Sequence, residues 1–87
     1  MRIIRRRYSL TVMNAIHGRG RVRYHDIADV LTGISSSTLS ETLRALEAAH
    51  LLDRHQFDAE RPYMVYELTP SGEKLLRRLR QLLKEIG

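Results

Sequence analysis

The chain has no cysteine. That absence excludes a disulfide framework, a thiolate zinc site, a nucleophilic thiol and a thiol redox switch. There is no apolar run near the roughly twenty residues that a membrane span requires. The N-terminal segment is charged but lacks the apolar core and small-residue cleavage site of a secretion signal. A soluble, cytoplasmic chain is therefore expected. Aromatic residues are scarce: four Tyr and one Phe in 87 residues. They are expected to form no stacking platform, which disfavours recognition of single-stranded nucleic acid. Acids are missing altogether from residues 1 to 25.

That last gap sets the charge pattern. The net charge is +5, and residues 1–25 hold seven arginines: Arg2, Arg5, Arg6, Arg7, Arg19, Arg21 and Arg23. Residues 26–87 hold eight bases against ten acids. The whole excess of positive charge lies in the first third of the chain. Such a block attracts a polyanion by releasing its counterions, whatever the sequence of that polyanion. A solvated basic terminus has the same composition, so the charge run alone decides little.

Motifs of catalysis are equally absent. His17, His25, His50 and His55 include no pair at i, i+4, and no thiol joins them, which argues against zinc. Ser35, Ser36 and Ser37 lack the glycines of a nucleophile elbow. Gly18-x-Gly20 has neither a third glycine nor a preceding strand, so it is not a phosphate loop. Neither an enzyme nor a cofactor is expected.

What is present is a sequence of helix and strand signals. Tyr8 to His17 predicts a first helix, stopped at Gly18; its apolar residues spread over more than half the wheel, as in a helix packed on two sides. Val22 to Tyr24 predicts a short strand. Asp26 to Leu31 predicts a second helix with Ile27, Val30 and Leu31 inward, ended by Thr32-Gly33. Ser35 is the expected N-cap of a third helix, residues 35–49, with Ile34 and Leu39 placed as a hydrophobic staple. Thr38-x-x-Glu41 offers a rival capping box, which leaves Ile34 unused. Leu39, Leu43 and Leu46 fall within about 60° on the wheel, an inward seam. Ser37, Glu41, Arg44 and Ala48 lie opposite, flanked by Ser40. His50 follows the helix at a position where a left-handed residue is often needed.

Leu51 to Phe57 and Tyr63 to Leu68 predict a hairpin, residues 51–68, with a charged tip at Asp58-Ala59-Glu60-Arg61-Pro62. Thr69-Pro70 is a cap followed by proline at the first helical position. The helix it opens, residues 70–86, carries Leu75, Leu76, Leu79, Leu82, Leu83 and Ile86 over about 120° of its surface, more than a small domain usually hides. Eighty-seven residues suffice for one domain. The predicted architecture is mostly α with a small β-hairpin: a winged helix-turn-helix with a long C-terminal helix and a basic arm at residues 1–7.

The phrasing resembles the HxlR family of bacterial and archaeal transcription regulators over about Tyr8 to Leu83. Arg23-Tyr24-His25-Asp26-Ile27 stands where that family has an Arg-Phe-Ser-Glu-Leu-like turn. Gly33-Ile34-Ser35 matches its Gly-Ile-Ser opening, and Leu43-Arg44-Ala45-Leu46-Glu47 its Leu-Arg-x-Leu-Glu core. Tyr66-Glu67-Leu68-Thr69-Pro70-Ser71-Gly72 matches its Tyr-x-Leu-Thr-x-x-Gly junction. PadR-like and MarR-like regulators share the outline. The chain departs from the pattern in four ways: a first core helix that opens almost at once, no N-terminal cysteine, His50 in place of the usual Gly, and Ser36 in place of Pro. The resemblance implies a dimer without thiol sensing, and a smaller one than is usual for the family.

With that architecture the third helix is expected in a major groove, offering Ser36, Ser37, Ser40, Glu41 and Arg44. The Arg44 fork suits guanine O6 and N7, whereas serine hydroxyls serve phosphates as well. A pair with Glu41 or Glu47 is the plain alternative for Arg44, worth only a few tenths of a kcal/mol. Arg54 and Arg61, with His55, are candidates for the flanking backbone, opposed by Asp58 and Glu60. Arg21 and Arg23 flank the small strand and are phosphate candidates, and the arm Arg2, Arg5, Arg6 and Arg7 suits a minor groove. Arg77, Arg80 and Lys84 read as solvated charge. Leu10, Leu75, Leu79, Leu82, Leu83 and Ile86, with Ile3 and Ile4, are the expected dimer interface.

The function so implied is sequence-specific binding of double-stranded DNA by a homodimeric, cytoplasmic and nucleoid-associated transcription regulator. Two other readings remain: a winged-helix protein-interaction module of a larger transcription or replication assembly, and a nonspecific nucleoid-type DNA binder. No residue identifies the operator or a small-molecule effector; in a dimer, an effector would sit between the first and last helices.

Overall fold

The computed structural model describes residues 8–86, the side chain of Ile86 excepted. Helix α1, Ser9–Ile16, buries Ser9, Val12, Met13 and Ile16 and ends before Gly18, whose φ of 78° only glycine adopts without strain. Leu10, half-buried, also packs against this core. Strand β1 is only Val22–Arg23, and α2 is Tyr24–Val30, so the helix opens two residues earlier than its sequence suggests. Tyr24 belongs to that helix and not to the strand. Val30 is 49% exposed, against expectation: this seven-residue helix fully buries only Ile27, and Ala28 and Leu31 are the residues that pack on the core beside it.

The third helix, α3, spans Ser36–Ala48 with Ser35 as its N-cap. The Ser35 hydroxyl accepts the Thr38 amide at 3.2 Å, so the rival start at Thr38 is not used. Leu39, Leu43 and Leu46 form the buried seam. Losing any one of them to alanine would cost about 2–5 kcal/mol. At the other end His50 has a φ of 60°. The Leu51 amide donates to Leu46 and the His50 amide to Glu47, at 3.0 Å each, the paired bonds of a Schellman cap.

Strands β2, Leu52–Phe57, and β3, Tyr63–Leu68, form the hairpin, and β1 adds to β3 to give the antiparallel order β1-β3-β2. Val22 pairs with Tyr66, and Leu52 with Leu68. Because neighbouring residues alternate faces, Val22, Leu52, Arg54, Tyr66 and Leu68 look toward the helices. Arg23, His55, Phe57, Tyr63, Val65 and Glu67 share the outer face.

Helix α4, Pro70–Ile86, begins where expected. The Thr69 hydroxyl accepts the Gly72 amide at 2.9 Å and donates to the His50 carbonyl at 2.8 Å. The end of α3 and the start of α4 are thus tied through one side chain. The His17 ring and the Glu73 carboxylate add a 2.7 Å contact from the end of α1 to α4. Further along, Arg80 bonds Asn14 at 2.6 and 3.2 Å. Arg80 is therefore a strut between α4 and α1, and not the freely solvated charge its helical position implied. Leu76 is buried, Leu75 and Leu79 are half-buried, and Leu82 and Leu83 are open at 52% and 62% exposure.

Candidate nucleic-acid interface

The side of α3 opposite its leucine seam presents Ser36, Ser37, Glu41 and Arg44, all exposed, with Ser40 half-buried beside them. The cap fixes how this face begins. The Ser35 hydroxyl lies 2.9 Å from Thr38 Oγ1 and 3.3 Å from Ser37 Oγ, so Ser37 starts out in a local hydroxyl cluster. The buried Thr42 on the same helix satisfies its hydroxyl at the Thr38 carbonyl, 2.8 Å away, and offers nothing outward. Arg44 has no acid within ion-pair distance among the described residues. Glu47, one of the two acids that the plain alternative paired with Arg44, lies instead 3.7 Å from Arg54 on β2.

Arg44 and Arg54 line one cleft of about 190 Å³, together with Tyr24, Ser40, Leu43, Glu47 and Tyr66. Burial raises the Tyr66 phenol above its ordinary pKa, with nearby Arg54 pulling the other way. The phenol therefore stays a hydrogen-bond donor at neutral pH. Sequence alone joined Ser40 and Arg44, four residues apart on one helix face, but not Tyr24 or Tyr66. The hairpin register was the available signal: it pairs Arg54 with Tyr66 and turns both toward α3.

The arginines at β1 go elsewhere. The Arg21 guanidinium lies 5.3 Å from the Phe57 ring centre and the Arg23 guanidinium 4.3 Å from that of Tyr63. Phe57 and Tyr63 stack on each other at 6.0 Å. A five-residue loop makes these two residues the last pair of the hairpin, which sequence counting could have caught. Both arginines are held on the outer sheet face by cation–π contact. Glu67 lies 3.9 Å from Arg21 Nε and 3.3 Å from His55 Nε2; the latter contact is not aligned as a hydrogen bond.

At the wing tip, Asp58 adopts a φ of 63° and its carboxylate accepts the Glu60 and Arg61 amides at 3.1 and 3.2 Å. One of the two acids thought to oppose phosphate is thus engaged in holding the turn, while Arg61 is exposed beside it. His17, His25 and His55 each face a different acid (Glu73, Asp29 and Glu67), and among the described residues no three histidines or acids converge as a metal site would require. The arm arginines and Ile3 and Ile4 lie outside the described residues.

A capped helix with an open polar face, followed by a three-stranded wing, is the geometry of a DNA-reading winged helix. The sequence model of HxlR-like helix-turn-helix proteins matches residues 3–86. The chain belongs to the HxlR-like helix-turn-helix family. The HTH-type transcriptional regulator YtfH of Escherichia coli K12, itself uncharacterized, is 29% identical over 76 residues, 87% of this chain and 60% of its own length. The HxlR-like chain thus spans well under two thirds of that curated relative. Among solved structures, a MarR-family regulator from Porphyromonas gingivalis W83 superposes with a TM-score of 0.84 at 30% identity, covering 97% of this chain and 81% of the other. A possible HxlR-family factor from Thermoplasma volcanium GSS1 gives 0.80 at 26% identity, with 98% and 75% covered. The family and these neighbours are transcription regulators and not enzymes. The HxlR-like chain carries their winged-helix DNA-binding fold. No described helix is long and apolar enough to cross a membrane.

Proposed function

We propose that this HxlR-like chain acts as a homodimeric, sequence-specific binder of double-stranded DNA that regulates transcription in the cytoplasm, associated with the nucleoid. Helix α3 enters the major groove, and the wing, with Arg61 at its tip, lies on the flanking backbone. The observation that carries this reading is the open face of α3, on which Arg44 is exposed and has no acid partner among the described residues. An unpaired guanidinium on a groove-sized helix is free to fork onto guanine, while Ser36, Ser37 and Ser40 position the helix on phosphates. Glu41 on the same face suits an amino donor such as cytosine N4. The basic arm of residues 1–7 adds sequence-independent attraction. The exposed Leu82 and Leu83 supply an apolar surface for a twofold partner.

Selection from random duplexes followed by sequencing of the retained pool tests the proposal. Recovery of an inverted repeat with half-sites about one helical turn or more apart is the expected result. Retention without any motif would replace it with nonspecific binding. If nothing is retained even at low salt, the fold serves as a protein-binding module, a reading favoured by exposed Glu60 at the wing tip.

A further inference from the structure

The cleft between α3 and the sheet has a composition that packing alone does not explain. The residues that line it include two arginines, Arg44 and Arg54, two tyrosines, Tyr24 and Tyr66, and Ser40, against one acid, Glu47. Hydrogen-bond donors outnumber acceptors heavily. Glu47 is occupied by Arg54, 3.7 Å away, so two cations and one anion leave a net positive charge facing the cavity. Tyr66 is buried to 8% exposure, and no described residue hydrogen-bonds its hydroxyl, which is not sealed from solvent. Tyr24 donates only to the Ser36 carbonyl at 3.4 Å, a stretched bond that yields readily to a better acceptor. Partly buried, donor-rich and cationic, such a cleft is complementary to an oxyanion.

The geometry points to an oxyanion seat in this cleft, where Arg54, Tyr66 and Tyr24 hold a phosphate group against the flank of α3. Its volume of about 190 Å³ accommodates one phosphate group with water. Two sources share this chemistry: a phosphodiester of a bound duplex, and free inorganic phosphate. The first deepens the DNA-binding reading and rests on it; the second does not. In either case Arg54 and the tyrosines hold the phosphate, while Arg44 at the edge of the cleft supplies the charge that Glu47 does not neutralise and keeps its fork for a base edge. Arg54 then sets the depth of α3 in the groove rather than the sequence it reads.

Two arms test the seat. In the first, wild type, Arg54→Gln and Tyr66→Phe are titrated with selected and random duplexes across a salt series. Arg54 is exposed and Tyr66→Phe removes only a hydroxyl, so thermal melts should confirm intact folds. A duplex phosphate in the seat predicts a roughly tenfold loss with Arg54→Gln on both duplexes, and a salt slope shallower by about 1. A loss confined to the selected duplex would make Arg54 a base reader and overturn the seat. In the second arm, inorganic phosphate is titrated into the DNA-free protein while the Tyr24 and Tyr66 ring resonances are followed, with chloride at matched ionic strength as control. Saturable shifts abolished by Arg54→Gln would identify free phosphate as the occupant. An unchanged salt slope together with silent tyrosines overturns the proposal. If wild type retains no duplex at all, the DNA reading fails separately, and the phosphate titration alone decides the cleft.

Discussion

Gly72, in the first turn of α4, lies so close to Leu51 that a Cβ on residue 72 would overlap the Leu51 carbonyl oxygen. The neighbour is backbone, so no side chain can rotate out of the way. That same carbonyl accepts the Thr69 amide at 3.1 Å, and any retreat breaks this bond. In an isolated helix, replacing glycine by alanine is worth about 1 kcal/mol of added stability. Here the sign reverses. Gly72→Ala should destabilise the protein by about 1–3 kcal/mol, read from the urea midpoint. A variant as stable as wild type would show that the junction is looser than this contact implies.

His50 makes the opposite prediction. Its φ of 60° is a left-handed conformation that costs a side-chain-bearing residue about 1–2 kcal/mol. The exposed ring makes no described contact that offsets the cost, and the Thr69 bond uses the backbone carbonyl. Glycine removes the strain but adds unfolded-state entropy, which takes back about 0.5–1 kcal/mol. His50→Gly should therefore stabilise by about 0.5–1 kcal/mol, seen as a higher thermal midpoint. A lower midpoint would mean that the imidazole has a role at the end of α3.

These two positions also mark what a reader of the sequence recovers. Caps and stops are local chemistry: Ser35, His50, Thr69 and Pro70 lie where their side chains and φ preferences put them, and β3 runs over the residues its alternation indicates. The misreadings are of another kind. Val30 follows the inward face of its helix, yet is exposed while Ala28 and Leu31 pack on the core, and a helical wheel does not register which flank a neighbour covers. Arg80 meets Asn14 across 66 positions of chain, and Arg23 meets Tyr63 across 40; no local pattern encodes such encounters. The open face of α3 was legible because it depends on one helix alone. The cleft beside it was not, since it takes side chains from α2, α3, β2 and β3 together.

The C-terminal helix offers a clean test of association. Leu79 is half-buried against its own chain, so a charge there would confound folding with dimerisation. Leu83 is 62% exposed, and its replacement should move monomer stability by less than about 0.5 kcal/mol. If α4 pairs with a twofold copy, a glutamate at this site buries an unpaired carboxylate in that interface. Leu83→Glu should then sediment as a folded monomer under conditions where wild type is a dimer. A dimer that persists with unchanged affinity moves the interface away from this stripe.

Arg44 carries the sharpest prediction about recognition. It has no ion-pair partner among the described residues, so truncating it releases no buried charge, and stability should stay within about 0.5 kcal/mol of wild type. Binding should not stay the same. A bidentate contact to guanine contributes roughly 1–3 kcal/mol of discrimination, or about 5- to 150-fold. Random duplexes offer no fixed guanine and lose only the diffuse attraction of one positive charge. Arg44→Ala should thus weaken binding to the selected operator far more than to random DNA, and selection repeated with the variant should show one base position relaxed. Parallel losses on both duplexes would place Arg44 on phosphate beside Arg54. Sequence reading would then fall to Ser37, Ser40 and Glu41.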